Sequence, residues 1–405
     1  MTVFTDIESI TWGETAGSTS LILSPRATLG FDKAGRPTGL YENGFYTARG
    51  LDGRCLEKKW IWDPGRPDAR RHIRALDAGE RENLRARLKT LLEKAQASLR
   101  SGTPVRRYDR GREIPADPAQ MAQKIDALTA FLNGEWEADP RRFAEVWNPI
   151  GILPPDQYLS LVIQVVEGCA WNQCTFCDFY AARPFRVRAR EEIDRHTDAA
   201  VRYFGDGLEG RCAIFLGDAN ALQAPPTLLI PLAESLARRF PRLAQPQTDG
   251  VGGLYAFAET ARTSAWATEE LRALAAAGFR RAYLGIETGD DALRRLLRKP
   301  GSATDALRAM EKIKSAGIAL GLIVLLGAGG RDHAQAHARA TADLLIRAPL
   351  GPGDFVYFSP LVEAAAPAFP TMSEEEKAEQ RRWIEGRVPP RGERRALYDI
   401  REFLY

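Results

Sequence analysis

Cys169, Cys174 and Cys177 lie within the stretch EGCAWNQCTFCDFY (167–180), a density of thiols that suits a soft metal or an iron–sulfur cluster. Structural zinc takes four closed ligands, usually in two paired knuckles. This stretch has one CxxC and a third cysteine, and the next histidine, His196, lies an expected helix away. Four irons held by three cysteines leave one iron open to a ligand that reacts, so the count favours a catalytic site over a structural one. Three merely apolar, core-forming cysteines would not be expected to crowd a single loop. Cys55 and Cys212 are isolated, so a second cluster is not expected, and Cys212 falls within an expected strand as a core residue. The total of 5 cysteines is odd and unscattered, which argues against a secreted disulfide framework and for metal or redox chemistry in a reducing compartment.

The elements that must position this loop follow from periodicity. Six apolar, β-branched runs are expected as strands at 160–167, 212–217, 253–257, 281–286, 319–326 and 354–358, with helical segments between them. Runs of this kind, apolar on both faces and separated by amphipathic helices, make a parallel sheet with right-handed crossovers. The fold class is therefore α/β, a partial TIM-type (β/α)6 barrel over 151–365, where chemistry collects at the C-terminal ends of the strands. Before it, 1–150 reads as an accessory α+β region. It contains a small sheet over the first 65 residues with DKAGRP as a hairpin turn, a helix from about 66 to 100, a loop at SGTPVRRYDRGREIPADP and a second helix near 118–133. The prolines of NPIGILPPDQY mark the boundary, and 366–405 reads as a C-terminal helical extension.

The order of motifs along these strand ends resembles the radical S-adenosylmethionine (radical SAM) superfamily, over about 155–365. The branch resembled includes oxygen-independent coproporphyrinogen dehydrogenase and tRNA methylthiotransferases. That family has CxxxCxxC with an aromatic residue before the last cysteine; here Phe176 precedes Cys177, and the first gap is one residue longer, CxxxxCxxC. The resemblance implies a [4Fe-4S] cluster ligated by Cys169, Cys174 and Cys177, with Phe176 near the adenine of S-adenosyl-L-methionine. It implies that Gly217, Asp218 and Ala219 in IFLGDANAL hold the methionine part of that cofactor, and that Glu287 in LGIETGDD bonds its ribose hydroxyls. Gly327 in GLIVLLGAGG would pass close to the adenine, on a looser spacing than the family's. The implied activity is reductive cleavage of S-adenosylmethionine to a 5′-deoxyadenosyl radical acting on a substrate, driven by an electron donor such as flavodoxin or ferredoxin. No side chain is assigned a catalytic role, since the cofactor carries the chemistry.

Other signals are plainer. His333 and His337 stand four apart on an expected helix, a zinc-compatible spacing that, without the glutamate of HExxH, reads as helix-surface histidines. DRHTDA (194–199) departs from the DxHxxG cobalamin motif at Ala199 and is taken as chance. Arg183 and Arg186 follow the cysteine loop closely enough to reach a substrate anion, although surface solvation explains them as well. With 56 basic against 53 acidic residues, no global field demands nucleic acid or an anionic membrane, so a small-molecule substrate is expected. No run reaches the length of a membrane span and MTVFTDIESI lacks the features of a secretory signal, so the expected location is cytoplasmic. Two alternatives remain open: a tRNA-modifying member of the same superfamily, and a non-catalytic protein holding zinc or a passive cluster.

Overall fold

Strict alternation builds the first sheet: in STSLILS (Ser18–Ser24) every second side chain is buried. The computed structural model describes residues 7–63, 66–245, 252–263, 266–362 and 369–405. The described residues fall into two units, one within Met1–Pro149, Asp198–Arg211 and Leu404–Tyr405, the other within Ile150–Thr197 and Cys212–Phe403.

Among the described residues, the first unit holds nine strands: β1 (Ile10–Glu14), β2 (Ser18–Ser24), β3 (Ala27–Asp32), β4 (Pro37–Glu42), β5 (Phe45–Arg49), β6 (Cys55–Asp63), β7 (Arg66–Ala75), β8 (Val105–Asp109) and β9 (Arg112–Ile114). β1 to β7 run as an antiparallel meander, and β8 joins the other edge, parallel to β1. Ile10, Leu21, Leu29 and Phe31 form a core with Leu88, Leu92 and Ile125 of the helices Ala78–Arg100 and Pro118–Gly134. The DKAGRP turn joins β3 to β4 as expected.

Two expectations are corrected here. Residues 66–75 are a strand, not the start of a helix, because β7 pairs with β6 over Leu56↔Ala75 to Asp63↔Arg66. The helix begins only after Asp77, which caps it: Glu80 N donates to Asp77 Oδ1 at 2.8 Å and Asp77 N to Glu80 Oε2 at 3.0 Å, a reciprocal capping box. The expected loop at 101–118 contains the hairpin β8–β9, turned at Arg110 and Gly111, both with positive φ. Its charged strands hide the apolar alternation that marks the other strands.

The second unit carries β10 (Leu161–Gln164), β11 (Val166–Glu167), β12 (Arg186–Val187), β13 (Ile214–Gly217), β14 (Leu254–Ala258), β15 (Phe279–Glu287), β16 (Ala319–Leu326), β17 (Phe355–Pro360) and β18 (Arg394–Leu397). Seven of these form a parallel sheet in the order β10-β13-β14-β15-β16-β17-β18. The six expected strands are present, and most of their residues are buried, as helices on the sheet require. The first of them ends early: β11 leaves the main sheet and pairs with β12 across the cysteine loop. The extension expected to be helical contains the helix Glu374–Arg387 and then β18, which adds to β17 as a seventh strand. The expected boundary at 365 lies outside the described residues. Among the described residues, no helix is long and apolar enough to cross a membrane.

Candidate functional site

At the C-terminal ends of the parallel strands lies a cavity of about 580 Å³, within the range of roughly 300–1,000 Å³ typical of small-molecule sites. Cys169, Cys174 and Cys177 line it, together with Phe176, Ala219 and Glu287. Much of the remaining wall is apolar or aromatic, including Ile152, Phe179, Phe257 and Ile323. Gly217, Asp218 and Gly327 are not among the lining residues.

The cysteine loop has little regular structure and is held from outside. Gly168 opens it with φ +68°, and a Cβ there would lie 2.6 Å from Arg183 O, so only glycine fits the entry. Further on, the loop is stitched to the segment 297–299. Thr175 N donates to Leu297 O at 3.1 Å, Trp171 Nε1 to Arg298 O at 2.6 Å, and the Cys174 thiol makes a weak 3.9 Å contact with the same oxygen. Phe176 packs against Leu293, Leu297, Leu325 and Ala328 while facing the cavity. All five cysteines are free thiols.

Burial pushes the Cys174 thiol up to about 11, with Lys299 pulling it down and Glu287 and the other two thiols pushing further up. Cys177 is raised for the same leading reason. Cys174 and Cys177 thus resist ionisation unless a cation shares the site, and soft sulfur donors match iron. Among the described residues no three His, Cys, Asp or Glu side chains converge as the ligands of a single metal ion do. A four-iron cluster does not require such convergence, because each thiolate binds a different iron. The donor set therefore fits a cluster.

Glu287 sits at the end of β15, where the register with β16 shifts between Gly285 and Glu287. A bulge of this kind re-aims a side chain. Glu287 has φ +56°, a left-handed conformation in a non-glycine residue, and its surroundings enforce it. The buried Arg294 donates from Nη1 to Ile286 O at 2.7 Å and to Thr288 O at 3.3 Å. Lys299 Nζ donates to Glu287 Oε1 at 3.2 Å. Burial alone would lower Lys299, but Glu287 and then Cys174 outweigh it and hold the ammonium above its ordinary value. A Cβ on Gly285 would lie 2.2 Å from Glu287 Oε1, so the absence of a side chain there makes room for the carboxylate.

Asp218 is placed differently from expectation. Its Oδ1 accepts from Gln164 Nε2 at 2.8 Å and its Oδ2 from Arg183 Nη1 at 2.9 Å, so both oxygens are engaged inside the wall. Burial raises it, and Arg183 and Gln164 pull in the opposite direction. Arg183 is accordingly a partner of Asp218, and Arg186 pairs with Glu167 and Glu192. Gly327 N donates to Gln380 Oε1 at 2.9 Å, on the side of the helix Glu374–Arg387.

Sequence reasoning missed Asn220, Arg294 and Lys299. Asn220 is one residue beyond the expected trio and lines the cavity. Its Oδ1 accepts from Leu222 N at 3.1 Å, while its buried Nδ2 has no hydrogen-bond partner among the described residues. An orphan donor in a cavity wall is costly unless a ligand brings an acceptor. His337 is also corrected: it is fully buried rather than on a helix surface. Its Nε2 donates to Leu325 O at 3.1 Å and its Nδ1 accepts from Thr288 Oγ1 at 2.8 Å, tying the ends of β16 and β15 together. His196 Nε2 accepts from Gln164 N at 3.1 Å inside the wall.

A parallel α/β sheet with three thiols at the mouth of an apolar cavity defines a metal- or cluster-dependent enzyme of the strand-end type. Residues 163–340 match the family model of the radical SAM superfamily. The enzymes of that superfamily use a [4Fe-4S] cluster and S-adenosylmethionine. No curated protein matches the chain. Among solved structures, it is similar to the radical S-adenosylmethionine methyltransferase TsrM from Kitasatospora setae, with 17% identity over 50% of this chain and 36% of that chain, at TM-score 0.36. It is similar to a radical SAM methyltransferase from Sphaerobacter thermophilus (18% identity, 61% of this chain and 68% of that one, TM-score 0.40). A third is the coproporphyrinogen III oxidase HemN from Escherichia coli (12% identity, 59% and 53%, TM-score 0.39). The chain spans about a third of the length of TsrM, 36%.

Proposed function

We propose that the protein is a radical SAM enzyme in which Cys169, Cys174 and Cys177 ligate the [4Fe-4S] cluster and the adjoining cavity takes S-adenosylmethionine beside a small-molecule substrate. The observation that carries this reading is the shared cavity: three free thiols, Phe176 and Glu287 line one space at the strand ends. Held by Cys169, Cys174 and Cys177, the cluster would supply the electron for reductive cleavage of S-adenosylmethionine, and through it the radical chemistry on the substrate.

The chain's own residues bind and orient. Glu287 offers a carboxylate to hydroxyl donors of the cofactor's ribose, and Asn220 Nδ2 offers the donor that its surroundings leave unpaired. Phe176 presents a ring for stacking against the adenine. Ala219 and the chain around it approach the methionine end, with Gly217 and Asp218 holding that loop from behind, and Gly327 acts from outside the lining through the turn it forms. Apolar walls exclude water, which protects a reactive carbon radical from side reactions. A cavity lined in this way suits a small molecule better than a polynucleotide, whose phosphates call for a basic channel. The electron comes from a reductant of the flavodoxin or ferredoxin kind, which fits a reducing, cytoplasmic setting.

Replacing Cys169, Cys174 and Cys177 together by alanine tests the reading. The wild-type protein, purified without oxygen and reconstituted, is expected to hold about four irons with matching acid-labile sulfide and to cleave S-adenosylmethionine when reduced. The triple variant is expected to lose both. Cleavage retained in the variant, or one zinc without iron in the wild type, would sink it.

A further inference from the structure

We infer that Lys299 is a positioning residue with an electrostatic task of its own: it locks the Glu287 carboxylate and supplies the fixed positive charge beside the Cys174 thiolate that sets how easily the cluster is reduced. The inference rests on the cluster assignment proposed above and adds a group that neither the family match nor the cysteine motif names.

Three observations lead to it. First, Lys299 lies in the same cavity wall as Cys174 and Glu287 and is bonded to the latter, Nζ to Oε1 at 3.2 Å, with the two side chains only 12% and 9% exposed. Second, its position is imposed by the cysteine loop. The backbone just before it, at Leu297 and Arg298, receives the hydrogen bonds of Thr175 N and Trp171 Nε1 and the contact of the Cys174 thiol. Arg298 takes φ +52° there, an uncommon conformation in which the chain turns between these contacts and Lys299. Third, the space around the pair is shaped for it: a Cβ at Gly285 would lie 2.2 Å from Glu287 Oε1 and 3.1 Å from Lys299 Nζ. The backbone that leads into Lys299 is thus fixed by the cysteine loop, and its ammonium is held by Glu287 in the wall that Cys174 also lines.

The charge count gives the consequence. A [4Fe-4S] core of formal charge two plus, held by three thiolates, carries net charge −1 when oxidised and −2 when reduced. A cation fixed nearby favours the reduced form, and more so where water is excluded. Glu287 opposes this, but its charge is partly neutralised by the very bond that fixes it. Because the cavity must be dry for radical chemistry, solvent cannot supply the missing cation. An arginine keeps the charge, whereas a methionine keeps much of the length and apolar stem and removes it.

The test compares Lys299→Met and Lys299→Arg with the wild-type protein, each reconstituted with iron and sulfide and titrated potentiometrically with the reduced cluster followed by electron paramagnetic resonance. Lys299→Met is expected to make reduction about tenfold less favourable, which for a one-electron couple is a shift of about 59 mV to more negative potential. Lys299→Arg should stay near the wild-type potential even if its S-adenosylmethionine affinity falls, because the larger fork disturbs Glu287 but preserves the charge. Iron content and thermal unfolding of each variant show whether the domain is intact. An intact Lys299→Met protein with unchanged potential would overturn the electrostatic role. If Lys299→Met fails to hold a cluster, the comparison passes to Lys299→Gln, and an unchanged potential there, or the same shift in Lys299→Arg, would overturn it equally. A wild-type protein with no iron–sulfur cluster would instead overturn the reading on which the inference stands.

Discussion

Arg36 with Asp139 in the first unit, and Lys299 with Glu287 in the second, are both buried ion pairs, yet their surroundings differ. Arg36 donates from Nε to Asp139 at 2.9 Å, from Nη1 to Asp32 and Phe204 O at 3.2 Å each, and from Nη2 to Tyr203 O. Its guanidinium also lies over the Tyr203 ring, 4.5 Å from the centroid. Nearly every donor is spent inside the protein, and Asp139 is completely buried. Glu287 and Lys299 share one hydrogen bond, at 3.2 Å, and both line the cavity. The one oxygen of the first pair without a hydrogen bond, Asp139 Oδ2, faces the buried Arg49 Nη1 at 3.7 Å and not the cavity, so this pair holds structure. The second, left open on one side, keeps its bond and can still accept hydrogen bonds from a ligand at the Glu287 carboxylate. Burial of charge is thus no sign of function by itself; what matters is whether hydrogen-bonding capacity is left over and where it points.

The contrast can be broken most forcefully at Arg36. Arg36→Met leaves the buried Asp139 carboxylate only its longer ion pairs, to Arg49 Nη1 at 3.7 Å and Arg142 Nη2 at 3.5 Å, and is expected to cost about 3 kcal/mol of stability, read by urea unfolding, while the folded fraction keeps its normal iron content. A loss below about 1 kcal/mol would mean that this pair is no more structural than an exposed one.

His337 sharpens the comparison on the cavity side through pH. Complete burial lowers it from 6.5 to about 4, so it is neutral in the fold and protonates more readily when unfolded. Its contribution is therefore fully present above pH 6.5 and is lost as pH falls towards 4, by about 3 kcal/mol in total. The measurement is the stability of wild type against His337→Gln at a series of pH values in that window. A difference between them that does not change with pH would refute the buried, neutral imidazole.

The smallest change expected to matter is Gly285→Ala. The new methyl collides with the end of a flexible glutamate rather than with backbone, so stability should move by no more than about 1 kcal/mol. Displacing Glu287 should weaken S-adenosylmethionine binding about tenfold, roughly 1.4 kcal/mol, as read by equilibrium titration of the reconstituted protein. Unchanged affinity would show that the carboxylate does not need the place that Gly285 leaves for it.

Much of this arrangement was legible in the chain. Apolar runs longer than an alternating pattern allows identified the six core strands, and the cysteine spacing identified the loop that opens the cavity. Elements whose stability comes from pairing rather than patterning were harder. β7, rich in arginine, reads as part of the following helix until its register with β6 is known. β8 and β9 are charged enough to pass for a loop, and β18 is a strand because β17 offers it an edge. Among site residues, those with distinctive types were found, whereas Lys299 and Asn220 belong to types that usually lie on surfaces.

The sequence by itself determined the thiol donor set, the alternation of strands and helices, and the glycines that close turns require. These are local: they depend on residue type, spacing and backbone freedom. It took the packing of distant segments to spend Asp218 on Gln164 and Arg183, to make His337 an interior tie, and to bring Lys299, bonded to Glu287, into the cavity wall that Cys174 lines. Such roles depend on which hydrogen-bonding groups remain unpaired once distant segments have packed, and no spacing along the chain records that.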